Sequence, residues 1–152
     1  MSTFCTGVTV VTAIGGDGRP HGLTCTSLTS VTVSPPTLMV CLGERSGTLA
    51  AIRDSDRFAV NLLHDGGRRA AEVFSSAAPD RFDRVPWRHG VTGGLWLVED
   101  AFAVAECRVV KAVAIGDHVA VFGEVAHVRQ RVETPLLYGM RRFGSWAKEV
   151  VP

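Results

Sequence analysis

The chain has 152 residues, 46% of them hydrophobic and 20% charged, as expected of one globular domain that buries its own core without staples. A formal net charge of +1 with no basic run excludes nucleic-acid binding by charge alone. Cys5, Cys25, Cys41 and Cys107 form no C-x-x-C pair, which argues against zinc or a disulfide framework, and no leader or membrane-length apolar run is seen, so a cytoplasmic protein is expected.

In chain order, TGVTVVTAI (6–14) reads as a strand apolar on both faces, and GGDGR (15–19) as a turn. PHGLTCTS (20–27) opens a returning strand. SVTVSPP (30–36) is a short strand closed by Pro35 and Pro36, and TLMVCLG (37–43) is a continuous apolar run, hence central. The period changes at SGTLAAIRDS (46–55), where Ser46 or Thr48 can cap a short helix. RFAVNLL (57–63) alternates as a strand, with Asn61 in a structural role. GGRRAAEVFSS (66–76) places Ala70, Val73 and Phe74 on one helical stripe. The irregular stretch 77–94 is long enough to be a functional loop or lid. AFAVAECRVVKAVAI (101–115) and HVAVFGEVAHVRQ (118–130) flank Gly116-Asp117, with glycine first as a type II′ hairpin requires. The tail TPLLYGMRRFGSW ends the domain.

Short strands joined mostly as hairpins, with two short helices, predict an antiparallel barrel. Strands apolar on both faces need a second cover, and a symmetric homodimer is expected to supply it.

The row of small polar residues in GLTCTSLTS (22–30) has two readings. Its hydroxyls satisfy an irregular strand end through local backbone bonds, or they line a groove for a polar heteroaromatic ligand. The Ser46-Gly47-Thr48 helix start beside Arg45 has two readings as well, an ordinary cap or a phosphate site. His21, His64, His89 and His127 share no spacing and need only surface or core roles. There is no G-x-S-x-G elbow and no G-x-G-x-x-G after a strand.

Taken in order, TGVTVVTA, GLTCTSLTSVTVSPPTLMVCL, SGTL, FAVNLL, VFSS…DRF, EC at 106–107, GDHVAVFGEV and PLLYG resemble the short-chain flavin reductases over residues 6–144. Two departures are Cys5, where proline is frequent, and CTSL, where Asn-Ser-Phe is frequent. The resemblance implies one domain over 1–152: a mainly β, antiparallel Greek-key split β-barrel with short flanking helices, homodimeric. It implies an NAD(P)H:flavin oxidoreductase that passes hydride from NADH (or NADPH) to FAD (or FMN). Reduced flavin is then released to a partner flavin-dependent monooxygenase. By the same resemblance Thr24, Thr26 and Ser27 face the isoalloxazine and ribityl region, with Ser30 close by. Cys41 and Leu42 offer backbone to the flavin, Ser46 and Thr48 hold its phosphate, and Phe82 packs near its tail. His118 positions the nicotinamide without acid–base duty, and Tyr138 and Arg141 close that side. No metal and no membrane are implied. The rival readings are a flavin- or haem-binding protein of the same barrel, pyridoxamine-phosphate-oxidase-like or non-enzymatic, with no reductase turnover.

Overall fold

The computed structural model describes residues 3–146. The first half contains β1 (Thr6–Gly7), β2 (Thr9–Ile14), β3 (Pro20–Cys25), β4 (Thr29–Val33), β5 (Pro36–Gly43), α1 (Gly47–Ser55) and β6 (Arg57–Leu63). The second half contains α2 (Arg68–Ser75), β7 (Arg88–His89), β8 (Leu95–Trp96), β9 (Ala101–Ile115), β10 (His118–Gln130), β11 (Leu136–Gly139) and β12 (Arg142–Ser145). The protein is mainly β, and its main sheet is antiparallel with strand order β3-β2-β6-β9-β10-β5-β4. β5 is flanked by β10 and β4, as its apolar run requires.

The expected strand over 6–14 is two strands, parted at Val8. The Val8 N–H donates to Leu136 O, while Val8 O accepts from the Leu63 N–H. One side of this residue therefore joins the small sheet β1-β11-β12 and the other joins the main sheet.

Successive side chains of a strand point to opposite faces. Val11 and Ala13 of β2 and Phe58 and Val60 of β6 enter one core with Leu42, Cys107, Leu49 and Ile52. Val10 and Leu63 enter a second core with Ala70, Ala71 and Phe74 of α2 and with Val85 and Leu97. The cover that these two-faced strands need thus comes from the chain itself here. No partner subunit is required at this face.

The stretch 77–94, expected as a functional loop or possible lid, is tied to the sheet at several points, as is the chain just after it. The Thr12 hydroxyl donates to Leu95 O at 2.8 Å, and the Asn61 amide donates to the same oxygen at 3.0 Å and accepts from the Leu97 N–H at 2.9 Å. Glu106, 2% exposed, accepts from the N–H groups of Val91, Thr92 and Gly94 and from the Thr92 hydroxyl. Gly90 packs directly on that carboxylate, where a Cβ would fall 2.2 Å from Oε1. Further back, Arg81 donates to Gly22 O of β3 at 2.8 Å.

Two hairpin turns show how backbone conformation follows residue choice. At the β9–β10 turn Gly116 has φ 60° and Asp117 is not left-handed, the type II′ form expected. The β11–β12 turn instead puts Met140 and Arg141 at φ 53° and 59°. Both side chains sit where each costs roughly 1–2 kcal/mol in Cβ crowding.

Burial pushes the Glu106 carboxyl up, but the hydrogen bonds from Thr92, Val91 and Gly94 outweigh it and hold it below its ordinary value of 4.5. The native state therefore favours the charged form. That stabilisation is complete above pH 4.5 and fades as pH falls through the depressed folded value. Glu106→Gln, which turns an amide N–H toward N–H donors, is expected to cost about 1–3 kcal/mol at neutral pH. It should also flatten the acid-side fall in stability, as read from urea midpoints at neutral and acidic pH.

Candidate functional site

Helix α1 starts where the apolar run of β5 ends. Ser46 is its N-cap: the Ser46 hydroxyl accepts from the Leu49 N–H at 3.1 Å and its carbonyl accepts from the Ala50 N–H. That leaves the Gly47 and Thr48 N–H groups at the positive end of the helix without a protein acceptor among the described residues. Thr48 is buried at 3% exposure, so it faces the core side of this turn.

The β9–β10 hairpin mouth lies against the same helix start. Gly43, Glu44, Arg45 and Ser46 line an open depression of about 850 Å³ together with Asp117 and His118. The two acids in it are already spoken for. Glu44 accepts from Arg53 at 2.9 and 3.2 Å, and Asp117 accepts from His118 Nδ1 at 2.7 Å. That hydrogen bond, and then the imidazole's charge, holds the Asp117 carboxyl below its ordinary value. Arg45 makes no ion pair among the described residues. The depression offers the Arg45 guanidinium and the Ser46 hydroxyl beside the positive end of α1, donors that fit a phosphate. With Nδ1 turned to Asp117, His118 directs its Nε2 edge away from that pair.

His21 also belongs here, though nothing in its spacing announced it. A Cβ on Gly47 would fall 3.2 Å from His21 Nδ1, so the ring of this β3 residue lies along the first turn of α1. The pairing joins residues remote in sequence, and only the fold reveals it.

The hydroxyls of GLTCTSLTS do not form one lined face. Thr24 points to the α2 side and donates to Ala71 O at 2.6 Å. Ser27 bridges β3 and β5: its hydroxyl accepts from the Cys41 N–H at 2.8 Å and donates to Cys41 O at 3.1 Å. Both backbone groups of Cys41 thus meet Ser27, while Leu42 beside it is buried in the first core. Thr26 is exposed and borders a separate cleft with Thr6, Thr9, Leu62, Phe102 and Leu136. Ser30 is exposed on β4. Phe82 sits over Gly22 in edge-to-face contact with Phe74 at 4.9 Å and Trp87 at 5.8 Å.

Tyr138 pairs with Thr6 and packs on Phe143 at 5.1 Å, and Arg141 forms the β11–β12 tip. Pro135, beside β11, bridges to His64 just past Leu63, which pairs with Ala101 at the start of β9. His118 pairs with Ile115 at the other end of β9. Within one copy the structure brings Arg45, Ser46 and His118 to one depression, with His21 along the first turn of α1, and keeps Tyr138 and Arg141 away from it. The buried Cys107 thiol is pushed up to about 12, by desolvation and then by the Glu106 charge, so it is an inert core group.

Comparison with known proteins matches residues 1–147 to the flavin reductase like domain. Flavin reductase (NADPH) of Lentzea aerocolonigenes is 60% identical over 98% of this chain and 88% of its own length. The reductase component of a 4-nitrophenol 4-monooxygenase/4-nitrocatechol 2-monooxygenase of Rhodococcus opacus is 36% identical over 94% of this chain and 76% of its own. The Streptomyces globisporus C-1027 NADH:FAD oxidoreductase, solved in complex with NAD and FAD fragments, superposes with a TM-score of 0.91. It is 33% identical and covers 98% of this chain and 90% of its own.

Ser27→Ala removes the one side-chain partner that Cys41 N–H and C=O share across β3 and β5. It is expected to lower unfolding free energy by about 1–3 kcal/mol, measured by urea denaturation against the wild type.

Proposed function

Since the chain belongs to the flavin reductase like domain family, we propose that it is an NAD(P)H:flavin oxidoreductase whose flavin phosphate rests at the α1 start. The observation that carries this placement is the depression lined by Arg45 and Ser46 at the start of α1, where Glu44 is paired with Arg53 and Asp117 is hydrogen-bonded to His118. A bound flavin and a dihydronicotinamide supply the hydride chemistry between them. The chain's share is placement. Ser46 fixes the helix end, Arg45 adds a charge-assisted contact, and Ser27 holds the β5 backbone at Cys41 against β3. His118, oriented by Asp117, positions the nicotinamide and exchanges no proton. Thr24, Thr26, Ser30, Leu42, Thr48 and Phe82 complete the flavin side in this reading. For Thr24 and Ser27 that requires their hydroxyls to keep their present backbone partners and contribute through shape, or to exchange them for the ligand.

The antiparallel seven-stranded sheet, with the chain just past β3 tied to β5 through Ser27, supports a Greek-key split barrel. A homodimer completes the site: Tyr138 and Arg141 reach a nicotinamide beside His118 only if a second copy carries them there. Two surfaces stand ready for that contact. All of β4 is exposed, with Val33 at 89%, and the β9–β10 hairpin exposes Val110 and Ile115. The reduced product leaves the open depression for a flavin-dependent monooxygenase partner, in a cytoplasmic setting. FAD and NADH are the preferred pair, with FMN and NADPH as the alternatives.

Steady-state loss of nicotinamide absorbance, with each dinucleotide, each flavin and a flavin-free blank, tests the activity. Turnover that depends on added flavin is expected, and its absence with every pair overturns the reading in favour of a binding protein of the same fold. His118→Ala is expected to raise KM for the dinucleotide or slow hydride transfer by about tenfold, roughly 1.4 kcal/mol, without abolishing turnover. Sedimentation equilibrium is expected to return twice the chain mass.

A further inference from the structure

The sheet face that the pinned loop covers carries a second concavity, remote from α1. It has an open volume of about 520 Å³ and is bordered by Arg88, His89, Trp96, His127 and Arg129, with Glu106 beneath. Arg88 and Arg129 both stack on the Trp96 indole, their guanidinium carbons 4.0 and 4.5 Å from the ring centroid. Cation–π attraction accounts for each contact singly. It does not account for two like charges gathered on one ring, closer together than the Debye length of about 10 Å at 0.1 M salt.

The one carboxylate nearby, Glu106, pairs with neither arginine, so two guanidinium charges face a single acid. Neither arginine makes an ion pair or a side-chain hydrogen bond among the described residues. Glu106 is the one acid bordering the concavity, and its oxygens already accept three loop N–H groups and the Thr92 hydroxyl. What remains is two planar five-donor forks with no acceptor, flanked by two imidazoles. Each guanidinium fork can bind phosphoryl oxygens bidentately, and both border the same concavity.

We propose that Arg88 and Arg129, held by Trp96, form an oxyanion site that takes a phosphoryl group. Two sources share that chemistry, free phosphate and a nucleotide phosphate such as the 2′-phosphate that distinguishes NADPH from NADH. The proposal stands on this pocket alone and is independent of where flavin binds.

Isothermal titration calorimetry of the full chain at low ionic strength, with inorganic phosphate, 2′,5′-ADP and 5′-AMP, tests it. Saturable binding of at least one ligand is expected, weakened by added sodium chloride. It should fall at least about tenfold in Arg88→Gln and in Arg129→Gln, both surface changes with unchanged melting temperature. Trp96→Phe, which keeps an aromatic platform, is expected to retain binding within a few-fold. Preference for 2′,5′-ADP over 5′-AMP assigns the site to a nucleotide 2′-phosphate. Equal response to inorganic phosphate assigns it to the free ion. No saturable binding of any of the three, or binding unchanged in both arginine variants, overturns the proposal.

Discussion

The rest of the structure depends on the requirement that buried polar groups find partners. Thr12, Ala59 and Glu106 stand in register across β2, β6 and β9, and Asn61 lies two residues along β6. Threonine, asparagine and glutamate on the buried face of a sheet would be costly alone. Each is satisfied by backbone of the 90–97 segment, and that segment in turn has its own N–H and C=O groups satisfied by them. Ala59, small and central in the row, lets Gly94 approach the sheet, where a Cβ would meet the Ala59 methyl at 3.0 Å. A stretch with almost no secondary structure of its own thereby becomes a fixed layer over the second core.

That fixed layer decides what the two faces can do. With 81–97 held down, Phe82 stays packed between Phe74 and Trp87, and Trp96 stays where two arginines can reach it. On the other side, α1 closes against the first core through Leu49 and Ile52, and its free end is turned toward the β9–β10 mouth. The phosphate-friendly balance at that end arises by subtraction. Arg53 pairs with Glu44 and His118 is hydrogen-bonded to Asp117, which leaves Arg45 and the helix start as the unpaired donors.

Much of this was legible beforehand wherever the controlling contacts are local. The Ser46 cap lies three residues from the N–H that it accepts, and the II′ turn needs only glycine at 116. The alternation in RFAVNLL reports both sheet faces directly, and Asn61 has the structural role its position suggested. The break at Val8 was not legible, because its cause is a carbonyl on β11 far along the chain. Nor could the hydroxyl row be sorted from spacing. Neighbouring residues with the same chemistry turn to different elements: Thr24 to α2, Ser27 to β5, and Thr26 to solvent.

By itself, then, the sequence determined the main-sheet strands and the two helices in order, the α1 cap, the β9–β10 turn and the family to which that order belongs, since periodicity and turn chemistry act over a few residues. Tertiary structure alone decided which polar side chains are spent on the fold and which remain for a ligand. Hydrogen-bond satisfaction is a property of pairs, and the pairs that matter here, from Ser27 with Cys41 to Thr12 with Leu95, join positions 14 to 83 residues apart.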